Sequence, residues 1–214
     1  MWQALYESSF WLPILPSLTA LAWVVMTSLR PPRRIAYVFG GVTLLAIVLD
    51  AWLNGAWSPL AGGAATAAGV TFVILGDARY FLAQRLACGM PWRRAALHAL
   101  ALALVVPLAS QLAVRVPFPD VSSRVLFLIY EAMALVWIAL DAWRHREHPR
   151  ALVAFELTQY ALWILADVLL LASCEWAYAL RIVPNVMYYC AFVPFAVRVV
   201  SVAGERLSPP TRAR

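Results

Sequence analysis

The sequence predicts an all-α integral membrane protein, a single bundle of about seven transmembrane helices with its N-terminus outside and its C-terminus in the cytoplasm. Three observations lead there. Hydrophobic residues make up 64% of the 214 positions and charged residues only 13%, where a soluble domain holds about 45–50% and about 25%. Seven apolar runs each approach the roughly 20 residues that cross a bilayer as a helix. Arginines also crowd into alternate loops.

The expected spans are 10–29, 35–53, 60–78, 95–114, 125–143, 151–173 and 177–200, followed by a short basic cytoplasmic tail over 201–214. Strands of a closed barrel would alternate apolar and polar residues, and these runs do not, so the spans are helices. No Lys or Arg precedes the first run and no small-x-small site follows it. Arg30, Arg33 and Arg34 then act as a basic stop, so the first run reads as a retained helix rather than a cleaved leader. No polar stretch is long enough for a soluble domain, and the chain reads as one transmembrane domain over 1–214.

All seventeen basic residues are Arg. Fourteen fall in the Arg30–Arg34, Arg79–Arg94 and Arg144–Arg150 loops and the segment from Arg198, against Arg115, Arg124 and Arg181 on the other side. Cytoplasmic loops carry the positive excess, so an odd number of spans runs from outside to inside. Trp52, Trp57, Trp92, Trp143 and Trp176 lie near span ends, where interfacial aromatics anchor helices. The Arg and Ala bias points to a bacterial inner membrane. The net charge of +6 is accounted for by these loops, with no basic stripe of the kind that binds nucleic acid.

An internal repeat is visible. Leu49-Asp50-Ala51-Trp52 matches Leu140-Asp141-Ala142-Trp143, Ile74-Leu75-Gly76-Asp77 matches Ile164-Leu165-Ala166-Asp167, and Val106-Pro107 matches Val193-Pro194. Spans 2–4 would then repeat as spans 5–7, inverted, after an extra first helix. Inverted repeats are typical of secondary transporters.

Ionisable groups inside a span are costly and mark functional sites or interhelical pairs. Asp50, Glu131 and Asp167 fall in the expected outer half, and Arg181, Asn185 and Tyr188 share one face of span seven at i, i+4, i+7. Together they form the candidate substrate or proton site, with Arg181 expected to pair with Asp167. A second set, Asp141, His145 and His148, has the same spacing near the inner side and offers a zinc-type alternative, with His98 as a further donor. Asp77 and Arg79 are expected where span three meets the cytoplasm. Gly62, Gly69 and Gly76, seven residues apart, mark a flank for close helix approach.

Cys88, Cys174 and Cys190 form neither a metal spacing nor a disulfide framework. With no Lys, a retinal Schiff base is excluded. No Pro-Gln pair, phosphate loop or His-Glu-x-x-His motif occurs, so no nucleotide or other cofactor is implied. The leading expectation is a small transporter or permease-like protein with an outward-opening polar site for a small molecule or ion. The alternatives are a membrane-embedded lipid hydrolase using Asp141, His145 and His148 at the cytoplasmic face, or a non-catalytic partner or sensor subunit.

Overall fold

The computed structural model describes residues 1–7, 11–29, 32, 34–55, 58–118 and 120–207. Phe10, most of the Arg30–Arg34 loop, Trp57 and the tail beyond Leu207 lie outside the described residues. Every regular element among the described residues is helical. A short α1 (Trp2–Glu7) precedes α2 (Trp11–Leu29), α3 (Arg34–Leu53), α4 (Gly62–Ala87), α5 (Trp92–Ser110), α6 (Ser123–Arg144), α7 (Arg150–Leu171), α8 (Ala177–Val186) and α9 (Phe192–Leu207). Two π-helical stretches extend them, Gln111–Arg115 after α5 and Met187–Ala191 between α8 and α9.

Six stretches are long and apolar enough to cross a membrane: Arg34–Leu53, Gly62–Ala87, Trp92–Val114, Ser123–Arg144, Arg150–Leu171 and Ala177–Ala203. Ile14–Leu29 is a shorter apolar helix. The protein is therefore a multi-pass membrane protein. Its surface agrees, since Leu18, Leu21, Leu97, Leu108 and Leu112 are all more than half exposed, an arrangement suited to lipid and not to water. Trp143 and Trp176 are also outward-facing, at 68% and 55% exposure, at helix ends.

Local chemistry sets the helix ends. Ser122 Oγ accepts from the Val125 amide and caps α6. Pro91 and Pro149 stand just before α5 and α7, where the missing N–H leaves no bond unmade. Gly89, at φ 78°, closes α4 with the Met90 amide on the Arg85 carbonyl, the left-handed stop that favours glycine. Ser173, at φ 64°, makes the equivalent stop after α7, with the Cys174 amide on the Leu169 carbonyl.

Two sequence boundaries shift. The third span was expected to end at Ala78, yet α4 continues to Ala87. Its last turns look polar in sequence because Arg79, Gln84 and Arg85 point inward and are buried, so Arg79 and Arg85 are not loop residues. Asp77 and Arg79 are thus interior, not interfacial. The last helix also runs through Ser201 to Leu207, where a tail was expected.

Packing follows the chain, with α2 on α3, α4 on α5, α6 on α7 and α7 on α8, while α9 returns against α3 and α4. Phe39, Leu44, Ile47, Tyr80, Phe81 and Phe192 are central to the apolar core. Of the three spaced glycines only Gly76 marks a close approach, with the Tyr188 hydroxyl 2.5 Å from where a Cβ would stand. Gly62 meets nothing and Gly69 only the Asn54 side chain.

Candidate functional site

The inside of this bundle carries the polarity that its outside lacks. Asp50, Asp77, Arg79, Glu131, Glu156 and Asp167 are all at most 8% exposed. With Arg85, Asp141 and His148, which are also buried, they fall into three groups along the bundle.

The first lies where α7 turns into α8. Arg181 Nη1 pairs with Asp167 Oδ1, its Nη2 stands 3.6 Å from Glu131 Oε1, and its Nε donates to the Tyr6 hydroxyl at 2.9 Å. Arg124 Nη1 adds a contact of 3.4 Å to Asp167 Oδ1. Two guanidiniums thus face two carboxylates, a balanced set under the α1 segment, whose Tyr6 ring also packs on Tyr178 at 5.6 Å. The expected Asp167–Arg181 pair is present.

The second group is central. Tyr130 donates to Asp77 Oδ2 at 2.8 Å, and Tyr160 donates to Asp77 Oδ1. Arg79 is held between two rings, 3.6 Å from the Tyr188 centroid and 4.3 Å from that of Phe192, a cation–π clamp. Its Nη1 donates to the Tyr188 carbonyl at 3.0 Å. That carbonyl lies in the π-helical stretch, and Pro184 and Pro194 flank it. Neither proline has an N–H for the preceding turn, which favours the wider helix between them. Arg79 also faces Asp50, Asp77 and Glu156 electrostatically. All three carboxylates lie within electrostatic range of this one guanidinium, though none is at ion-pair distance among the described residues. Arg79 Nε and Nη2, Glu156 Oε2 and both Gln159 amide atoms are buried without a hydrogen-bond partner among the described residues.

A cavity of about 280 Å³ borders this group between α3, α4 and α5. Its walls are mostly apolar, including Val42, Ile47, Phe72 and Leu100, while Thr43, Asp50, Arg79 and Tyr188 supply the polar edge. A mostly apolar hollow with a few convergent polar groups is the usual form of a small-ligand site.

The third group sits where α6 meets α7. Arg85 Nη2 binds Asp141 Oδ1 at 2.9 Å, and its Nη1 contacts His148 Nε2. His148 Nδ1 faces Asp141 Oδ2 at 3.5 Å. Burial, together with the Arg85 charge, pushes the His148 imidazole down to about 4. His145, Glu147 and His148 have ligand atoms within 4.8 Å of one another, which resembles the zinc alternative. Arg85 works against it. A guanidinium can only donate, so His148 Nε2 must accept, its proton sits on Nδ1, and neither nitrogen is left for a cation. His98 is exposed on α5 and stands outside the group.

The six residues expected to share one site are divided by their partners. Glu131, Asp167 and Arg181 come together. Asp50, with Asn54 Nδ2 on its Oδ1 at 2.6 Å, belongs with Arg79 and Tyr188. Asn185 accepts from Trp163 Nε1 at 2.8 Å. The even i, i+4, i+7 face of span seven fails because the π-helical turn begins at Met187, between Asn185 and Tyr188. Sequence reasoning singled out neither Tyr130 nor Tyr160. The signal was there in α7, where Glu156, Tyr160, Trp163 and Asp167 recur on one helical face of an otherwise apolar run.

No protein-family model matches the chain, and no curated protein or solved structure is detectably similar to it.

Proposed function

We propose that this protein is a small carrier of the permease type, and that Arg79, Asp50 and Tyr188 form its solute site beside the α3–α4–α5 cavity. In this reading α2 is the first of seven spans, the N-terminus is outside, and the membrane is a bacterial inner membrane. The inverted repeat then relates α3–α5 to α6–α9, with Asp50 and Asp141 near opposite faces.

One observation carries the reading: a buried guanidinium whose Nε and Nη2 have no partner among the described residues, within electrostatic range of three carboxylates and bordering a cavity. Each charged group inside a membrane helix costs about 2.5–3.5 kcal/mol on insertion scales. Hydrophobic residues of similar volume would stabilise the bundle as well or better. A purely structural role therefore leaves this concentration of charge unexplained, and a solute pathway explains it. The hydrolase alternative loses support because Arg85 holds His148 and Asp141.

The test is charge displacement on solid-supported membranes carrying reconstituted protein. Amino acids, carboxylates, inorganic cations and sugars are applied in turn. At least one class should give a transient that Arg79→Gln and Asp50→Asn abolish. Silence of folded wild-type protein towards all four classes would overturn the reading.

A further inference from the structure

We propose that Asp77 and Glu156 form a proton-binding pair at the centre of the bundle, loaded from the His148 end by way of Tyr80 on the polar face of α4. The inference deepens the carrier reading, since it names the coupling ion, and proton loading itself can be measured without a solute.

Depth comes first. At about 1.5 Å per residue, Asp77 lies about 15 Å from the Ala87 end of α4, the middle of a hydrocarbon core about 30 Å thick. Glu156 lies about 9 Å inside α7 by the same rise and is 2% exposed. Charge balance comes next. The groups facing this pair are Arg79 of α4, Tyr80 of α4, Tyr130 of α6, Tyr160 of α7 and Tyr188 beyond α8. Arg79 is the one cation among them, and it also faces Asp50. A single guanidinium cannot neutralise three carboxylates, so the remainder requires protons or another cation.

The protein supplies groups suited to protons. Both Asp77 oxygens receive tyrosine hydroxyls, and Tyr130 and Tyr160 stand 3.4 Å apart. Asp77, Tyr80 and Glu156 line one narrow void with Val106, Ala134 and Trp137. The Tyr80 hydroxyl accepts from Gln84 Nε2. One residue further along α4, Arg85 reaches Asp141 and His148, and His145, stacked on His148 at 5.1 Å, is half exposed. Asp77, Tyr80 and Gln84 follow i, i+3, i+7, so each turn of α4 from its end to its middle presents a polar side chain inward.

Carboxyl and phenol groups both donate and accept, which lets a proton move by exchange of O–H bonds. A hydronium ion from the aqueous phase supplies the proton. The Tyr80 hydroxyl gives its proton to Glu156 Oε2 as its oxygen takes one from that hydronium ion: the Tyr80 O–H and one hydronium O–H break, a new Tyr80 O–H and the Glu156 O–H form, and water is released. The net change is one carboxylate becoming a carboxylic acid. Tyr160, a turn from Glu156 on α7, passes the proton to Asp77 in the same manner. Neutralising either acid removes an attraction on Arg79 and leaves more of its positive charge for a solute at Nε and Nη2.

Infrared difference spectra after a pH jump on the reconstituted full chain test this directly. Wild type should show a carboxylic-acid carbonyl band that Asp77→Asn and Glu156→Gln each reduce and the double variant removes. Tyr80→Phe keeps the core shape, and should slow loading by roughly tenfold or more with the band intact. A band unchanged in the folded double variant, or normal loading in Tyr80→Phe, would overturn the proposal. Should Asp77→Asn fail to fold, Glu156→Gln and Tyr80→Phe still decide it. Solute transients that persist where no carbonyl band exists would sink the proton pair and leave the carrier reading standing; a band without transients would do the reverse.

Discussion

Arg181 of α8 grips Asp167 of α7 across the Ala172–Trp176 turn, and the carboxylate it holds is completely buried. Glu131 and Arg124 from α6 join the same knot, so three helices meet through four charges. Removing one partner of a buried pair costs about 3–5 kcal/mol. Asp167→Asn should fall near the low end, about 3 kcal/mol, because Glu131 still faces Arg181. Adding Arg181→Gln should restore part of that loss. Thermal unfolding in detergent of the two single variants and the double variant measures the coupling, and strict additivity would show that the pair contributes nothing.

Gly76 gives a second test. An added methyl would meet the Tyr188 hydroxyl at 2.5 Å, and Tyr188 is the ring on which Arg79 lies. Gly76→Ala should therefore destabilise by about 1–3 kcal/mol through overpacking. Gly41→Ala is the control, since nothing lies within 4 Å of its would-be methyl, and it should gain about 0.5–1 kcal/mol from helix propensity. Equal melting shifts for the two variants would contradict the close approach.

Much of this fold was legible in the sequence because lipid imposes one simple demand, long apolar helices. Six of the seven expected spans emerge from run length alone, and Asp167 and Arg181 could be paired because a short turn fixes their relative depth. Reading failed where polarity was taken as a sign of loop. Arg79, Gln84 and Arg85 lower the hydropathy of α4, yet they face inward, and a window average cannot separate a polar interior from a polar loop. It failed again at Tyr188, because a π-helical turn rotates every later side chain, and only Pro184 and Pro194 hinted at it.

His148 predicts a pH effect with a definite sign. Its folded value of about 4 lies below the ordinary value near 6.5. The unfolded chain therefore takes up a proton as pH falls through about 6.5, and the folded chain refuses it until about 4. The contribution is full above that window and is lost as pH drops across it. Arg85, Asp141, His145 and Glu147 surround the ring. Melting temperature should fall more steeply between pH 6.5 and 4.5 in wild type than in His148→Gln, and identical slopes would refute the assignment.

Ser173 holds φ 64° without being glycine. The left-handed conformation costs an ordinary residue about 1–2 kcal/mol, while glycine adopts it freely. Ser173→Gly should therefore leave stability unchanged or raise it by up to about 1 kcal/mol, whereas Ser173→Val should lower it. Unfolding midpoints in detergent distinguish these outcomes, and a clear loss with glycine would mean that the serine side chain matters more than its backbone.

Orientation can be read with thiols, starting from the protein's own. Cys174 lies in the turn between α7 and α8, and Cys88 in the turn after α4, at the opposite end of the bundle. With the N-terminus outside, Cys174 faces the exterior and Cys88 the cytoplasm. Burial pushes the Cys88 thiol up, which slows thiolate chemistry from either side, so poor labelling at Cys88 alone decides nothing. A variant with all three cysteines replaced, carrying Asn54→Cys or Arg146→Cys, removes that ambiguity because both positions are exposed. An impermeant maleimide applied to intact cells should modify the residue at 54 and spare that at 146, with both labelled after lysis. The reverse pattern would invert the bundle, and the His148 end would then load protons from outside.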